Sequence, residues 1–348
     1  MNNTTSLNFI EKPFGTLPNG TEIKSYILTN SKGTQLTVTN YGATITSLKV
    51  LGNNNQPVDV VLGFDDVQGY IDSYSLPSAP YFGAVMGRYA GRIKNGKFTL
   101  NGTDYQLNTN LGDHHLHGGT VGFGRAVWKM TEAGIATNPF IKLQYMSPDG
   151  EEQYPGEMTI EVTYTLTEDN EVIAVYTAVS DKDTVINLTQ HSYFNLDGHT
   201  GNVKDQQLQV FTDTIVETDS LNIPTGNFIA AADKGYHFLT PNHCPEVIDT
   251  SFVIKDNSQV AAVLTSEKSG LKMTVQTNQP SVHIYVGGNC GSELKGKDGA
   301  AYHSLSGICF ETQNFPDAPN RDNFPSAVLR KGEKYYQKTV FRFENNKL

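Results

Sequence analysis

The sequence predicts an all-β protein built as one large antiparallel β-sandwich. Runs rich in Val, Ile, Thr, Tyr and Phe recur along the chain, and many alternate apolar and polar residues at period two. Glycine (32 residues) and proline (15 residues) punctuate these runs, as turns require. No long stretch repeats apolar residues at the i, i+3, i+4, i+7 spacing of an amphipathic helix.

In chain order the strand patterns are Gln35–Thr39, Lys97–Leu100, Ile141–Tyr145, Met158–Leu166, Glu171–Val179, Thr184–Thr189, Gln207–Phe211, Leu271–Thr277, Val282–Val286 and Lys338–Phe343. Met158–Leu166 puts Met, Ile, Val, Tyr and Leu on one face and Thr and Glu on the other. Glu168-Asp169-Asn170 then supplies a polar turn into Glu171–Val179, which predicts a hairpin. Asp65–Asp72 is the best short-helix candidate. With no fixed-period repeat, low-complexity tract or Pro/Ser linker, the whole chain, 1–348, reads as a single domain.

Composition narrows the function. A hydrophobic content of 38% with 18% charged residues is that of a globular protein, not a disordered one. The net charge of −10, with 26 scattered Lys and Arg, excludes the concentrated basic face a nucleic-acid partner demands. No apolar run is long enough for a membrane helix, so no membrane partner is expected. Met1–Phe9 is polar and lacks the basic and apolar segments of a secretory leader. Cys244, Cys290 and Cys309 are odd in number and widely spaced, which points to a reducing cytoplasm.

Four segments crowd ionisable groups beside glycines or apolar runs. Gly87-Arg88-Tyr89-Ala90-Gly91-Arg92-Ile93 can aim a guanidinium at adjacent hydroxyls, or tie a loop by ion pairs. In Asp113-His114-His115-Leu116-His117-Gly118-Gly119, a strand would put His115 and His117 on one face, the spacing of an H-x-H metal pair. His191 and Glu311 could complete such a site; alternatively His117 is a neutral hydrogen-bonding group beside a substrate. Asn187-Leu188-Thr189-Gln190-His191-Ser192-Tyr193-Phe194-Asn195-Leu196 places His191 among amides and hydroxyls in an otherwise apolar run. In Gly307-Ile308-Cys309-Phe310-Glu311-Thr312-Gln313-Asn314, a carboxylate follows a buried-strand pattern, where it is costly unless paired or used.

In this order, and with Asn40-Tyr41-Gly42-Ala43, Leu62-Gly63-Phe64, Tyr154-Pro155-Gly156, Gln279-Pro280 and Gly332-Glu333-Lys334-Tyr335, these segments resemble the aldose 1-epimerase (galactose mutarotase) family. The resemblance implies a supersandwich of antiparallel sheets with an open sugar cleft. It implies a cofactor-free isomerase that exchanges the α and β anomers of free hexoses such as galactose and glucose. Glu311 matches the family's general base and His191 its general acid. His117 and Arg88 match residues that contact the sugar, Asp249 a carboxylate that binds its hydroxyls, and Gln279 a further polar contact. Two departures, Gly87 and Thr250, are expected at the cleft, where they would bear on sugar preference. A homodimer stays open.

The chemistry suits these residues. Anomer exchange opens a hemiacetal and closes it on the other face of C1, so one group takes the C1 hydroxyl proton while another protonates the ring oxygen. A carboxylate and a histidine fit that pairing without metal or redox help. Rival readings are an epimerase for a hexose 6-phosphate, a sugar-binding module without catalysis, and an H-x-H metalloenzyme.

Overall fold

Period-two alternation becomes alternating burial wherever one sheet face meets another. Met158, Ile160, Val162, Tyr164 and Leu166 are wholly buried, while the residues between them reach the surface. The strand is followed by Glu171–Ser180 in antiparallel register, Leu166 opposite Val172, with the turn closed by Thr167 and Asn170 as the sequence predicts. The computed structural model describes residues 8–135, 137–256, 260–288, 290 and 295–345.

Three larger antiparallel sheets organise the described residues. A five-stranded meander runs through Asn8–Thr16, Glu22–Thr29, Gln35–Thr39, Ile45–Leu51 and Pro57–Asp59. A nine-stranded sheet has the order Lys129–Gly134, Phe140–Ser147, Met158–Leu166, Glu171–Ser180, Tyr335–Asn345, Leu271–Thr277, Val260–Thr265, Gln207–Val210 and Asn242–His243. A six-stranded sheet has the order Tyr193–Phe194, Ile308–Gln313, Ser281–Val286, Ile248–Val253, Thr214–Thr218 and Pro224–Ala230. The main apolar cluster draws residues from all three, from Tyr26 to Phe343, and the all-β sandwich expectation holds.

Strand Ile308–Gln313 is buried at every position. Ile308 and Phe310 join the main core, and Thr312 meets Thr339 of the nine-stranded sheet, Oγ1 to Oγ1 at 2.6 Å. Cys309, Glu311 and Gln313 therefore face the other way. The last strand, Tyr335–Asn345, sits at the centre of its sheet, and Phe341 packs on Phe194 with ring centroids 5.0 Å apart.

Three local expectations shift. The helix is Val67–Ser73, capped by Asp66, whose carboxylate accepts the Gly69 N–H at 3.1 Å. Thr184–Thr189 is not one strand: the chain changes partners between Thr184–Val185 and Thr189–Gln190, with the Asn187 N–H donating to Arg88 O. The strands of the five-stranded meander other than Gln35–Thr39 escaped the sequence reading, since Pro13, Gly15 and mixed charges blur their alternation.

Phe341→Ala removes a buried ring that joins the last strand to the His191 segment. It is expected to cost about 3–5 kcal/mol, read as a lowered urea midpoint with unchanged m-value.

Candidate active site

The six-stranded sheet presents polar side chains to a cleft of about 470 Å³, lined by Tyr81, Gly91, Arg92, Leu116, His117, His191, Asp249, His283, Tyr285, Glu311, Gln313 and Pro316. A more spacious hollow of about 740 Å³, around Phe211, Leu239 and Lys255, brings together no comparable set of acid, base and histidine groups. Chemistry rather than volume marks the site.

Glu311 is 2% exposed, and its Oε1 stands 3.5 Å from His191 Nε2. That separation is too long for a strong hydrogen bond and leaves both groups facing the same small space. The other carboxylate oxygen, Oε2, is buried without a partner. His191 turns its Nδ1 toward Cys309 Sγ at 3.7 Å, and its ring lies between Tyr193 and Tyr81, with centroids at 5.3 and 5.8 Å. The turn carrying Tyr81 is tied to His191 directly: Gly83 N–H donates to His191 O and His191 N–H to Ala84 O, both at 2.9 Å.

His117 has φ +50°, which ends the short strand His115–Leu116 and turns the imidazole into the cleft, 5.2 Å from the His191 ring. Gly91 N–H donates to His117 Nδ1 at 3.3 Å, so in the neutral ring Nε2 carries the proton and points a donor inward. Burial, then the nearby His191 and Arg92, hold the His117 pKa well below the usual histidine range.

Asp249 anchors the opposite wall. Its Oδ1 accepts from His283 Nε2 at 2.8 Å, and its Oδ2 from Arg92 Nη2 at 3.1 Å and Asn222 Nδ2 at 2.9 Å. Burial alone would raise its pKa, yet His283 and Arg92 hold it far below the carboxylate range. Burial would likewise depress His283, but the Asp249 hydrogen bond and charge win and its pKa is raised. Ser251 Oγ lies 2.8 Å from His283 Nδ1 and can accept from or donate to it.

The structure thus brings together Glu311, His191, His117 and Asp249 of the sequence-predicted site. It does not bring Arg88 or Gln279 to it. Arg88 is 1% exposed and buries its guanidinium against Pro155 O (2.8 Å), Gly156 O (2.9 Å) and Ser147 Oγ, with Tyr154 beneath. The arginine at the cleft is Arg92, four residues on in the same motif. Gln279 lies beside Pro280, Asn314 and Tyr335 in a different hollow, and Gln313 lines the cleft instead. The two departures also lie off the cleft: a Cβ on Gly87 would meet Phe123 and Leu188, and Thr250 faces Tyr236. Residues missed outright are His283 and Tyr81; alternation through Val282–Val286 places His283 on the Glu311 face and could have found it.

The H-x-H pairing is overturned. His115 is wholly buried, with Nδ1 at 2.7 Å from Asn108 O and Nε2 at 2.6 Å from Tyr154 OH, while the backbone turn sends His117 elsewhere. Polar atoms of His117, His191 and Glu311 do lie within 4.8 Å of one another, the span of a metal site. The Gly91 N–H, however, occupies the Nδ1 lone pair of His117 and leaves a proton on the nitrogen that would have to ligate.

The sequence pattern of the aldose 1-epimerase family matches residues 24–342. The chain is 38% identical to a galactose mutarotase of Bos taurus over 341 residues, covering 95% of this chain and 97% of that protein. It is 33% identical to an aldose 1-epimerase of Haemophilus influenzae over 343 residues, 94% of this chain and 97% of that one. A crystal structure of galactose 1-epimerase from Lactobacillus acidophilus superposes with a TM-score of 0.84 at 25% identity, over 97% of this chain and 99% of that one. That of a GalM/aldose epimerase homologue from C. elegans gives 0.82 at 29% identity, over 98% and 99%.

Arg88→Met strands several buried carbonyls. We expect a stability loss of about 3–5 kcal/mol in urea unfolding, with the sugar KM of the folded protein unchanged. His115 yields a pH prediction. Burial lowers its pKa to about 4, against roughly 6.5 in an unfolded chain. The unfolded state therefore takes up the proton first, and stability falls by about 2–4 kcal/mol as pH drops from about 6.5 to 4. His115→Gln should make the urea midpoint fall less steeply across that window than in wild type.

Proposed function

The chain belongs to the aldose 1-epimerase family, and on that basis we propose that it exchanges the anomers of free hexoses such as galactose and glucose, with Glu311 as general base and His191 as general acid. The observation that carries this assignment is the placement of Glu311 Oε1 and His191 Nε2 3.5 Å apart across one buried cleft. The C1 hydroxyl and the ring oxygen are both bonded to the anomeric carbon, so the groups serving them must be neighbours. Glu311 takes the hydroxyl proton while His191 gives one to the ring oxygen, and the C1–O bond opens. Rotation about C1–C2 presents the other face of the aldehyde. Closure runs the same two transfers backward, so the enzyme returns to its starting protonation state.

His117 supports a different role. Its Nε2–H is fixed as a donor by the Gly91 N–H, and burial keeps the ring neutral, so it polarises a reacting oxygen without competing for the proton. Asp249 spends three hydrogen bonds on protein donors and retains acceptor capacity on Oδ1 for a sugar hydroxyl. Arg92 is the single Lys or Arg among the residues described at the cleft, and Asp249 already pairs it. That favours a neutral sugar over a hexose 6-phosphate.

The main core gathers residues from Tyr26 to Phe343, which supports reading the chain as one domain. Cys244, Cys290 and Cys309 are unpaired and buried, which supports a reducing, cytoplasmic setting. Among the described residues no helix is long and apolar enough to cross a membrane.

Polarimetry of freshly dissolved α-D-galactose and α-D-glucose in EDTA tests the assignment. The protein should speed relaxation to the unchanged equilibrium rotation. Glu311→Gln and His191→Asn should each lower kcat by about 10²–10⁴-fold with circular dichroism unchanged. Near-normal turnover in either would overturn the pairing.

A further inference from the structure

Gln313 follows Glu311 by two positions on strand Ile308–Gln313, so both side chains project from one face into the cleft. It is 1% exposed, and its Oε1 is buried without a hydrogen-bond partner. Buried polar groups are almost always satisfied, and an exception calls for a ligand, a water or a functional reason. Three such atoms, Gln313 Oε1, Glu311 Oε2 and Arg92 Nε, belong to residues of this one cleft. The larger hollows around Leu239 and Tyr335 are lined by none.

The surroundings leave the amide room to work. Gly91 has φ +78°, and a Cβ there would stand 3.5 Å from Gln313 Nε2 and 3.2 Å from the Pro316 ring, so the missing side chain keeps the amide open to the cleft. Most other polar groups on these walls are committed to the protein: Asp249 to three donors, His283 to Asp249 and Ser251, and His117 Nδ1 to Gly91.

We propose that Gln313 is a substrate-binding residue whose amide hydrogen-bonds one sugar hydroxyl other than that at C1. A hydroxyl both donates and accepts, so it satisfies the amide in either orientation. Successive same-face positions on a strand are about 7 Å apart, so Gln313 grips the ring away from the carbon that Glu311 and His191 work on. It thereby bears on which sugars are accepted. The inference rests on the cleft being the anomer-exchange site.

The test measures kcat and KM by polarimetry for wild type and Gln313→Leu. The sugars are D-glucose, D-galactose and the 2-, 3-, 4- and 6-deoxy forms of D-glucose. Losing one hydrogen bond should lower kcat/KM on the two parent sugars by about five- to tenfold, chiefly through KM. On one deoxy sugar, the one missing the contacted hydroxyl, variant and wild type should be equal. The proposal is overturned if the variant matches wild type on every sugar. It is also overturned if the variant loses the same factor on all sugars, or loses in kcat alone. Gln313→Met serves should the leucine variant not fold. Wild type inactive on every sugar would sink the anomer-exchange reading itself, whereas an active wild type with an unaffected variant sinks this inference alone.

Discussion

A carboxylate held in the middle of a strand that is buried on both faces is the constraint around which the rest of this molecule is arranged. Glu311 is almost wholly buried where it lines the cleft, and an unpaired ionised group in such surroundings is costly. Polar groups from other strands gather around the same cleft without saturating the carboxylate, whose Oε2 has no partner. His191 comes from the segment before Tyr193–Phe194, His283 is the register partner of Glu311 on Ser281–Val286, and Arg92 lines the cleft from the short strand Arg92–Ile93. The opposite face of the same strand gives Ile308 and Phe310 to the main core, so apolar packing fixes the height at which the carboxylate sits. Position is set by dispersion and burial, and reactivity by what that position faces.

The Asp249 network shows the same division on the opposite wall. Its carboxylate is paired with Arg92 and His283 and bonded by Asn222, while Ser251 holds His283 from the other ring nitrogen. A carboxylate with that many partners does not swing, so in the proposed reaction it would offer a sugar hydroxyl a fixed acceptor. Buried charges of this kind add little to stability on their own. Their worth here lies in geometry: in the proposed reaction one wall moves protons and the other holds still.

How much of this was legible in the sequence follows from how local each feature is. Met158–Leu166 and Leu271–Thr277 alternate cleanly and were readable to the residue, because each buries one face against an apolar neighbour. Glu311 stood out because a charged residue inside an apolar run breaks the pattern that burial imposes. Arg88 and Arg92 could not be told apart by spacing, since both follow a glycine in the same loop; only the fold decides that one guanidinium meets the carbonyls of Pro155 and Gly156 and the other meets Asp249. Gln279 and Gln313 pose the same difficulty, as two polar residues near the ends of strands that lead to different hollows. Thr184–Thr189 read as one strand because propensity is blind to a change of hydrogen-bonding partner.

The histidine motif shows why glycine carries as much meaning here as the ionisable residues. A Cβ on Gly118 would lie 1.7 Å from Gly87 O, so the two glycine-bearing loops meet backbone to backbone and no side chain fits between them. That approach brings the chain after His117 against the start of the arginine motif. His117 N–H then donates to Gly91 O at 3.1 Å while Gly91 N–H reaches His117 Nδ1. The reciprocal pair fixes both where the imidazole points and which nitrogen bears its proton. A period-two reading predicts that His115 and His117 act together. Beside the glycine contact His117 takes a positive φ, so the two rings meet different partners, and the apparent metal pair is one structural histidine and one hydrogen-bond donor.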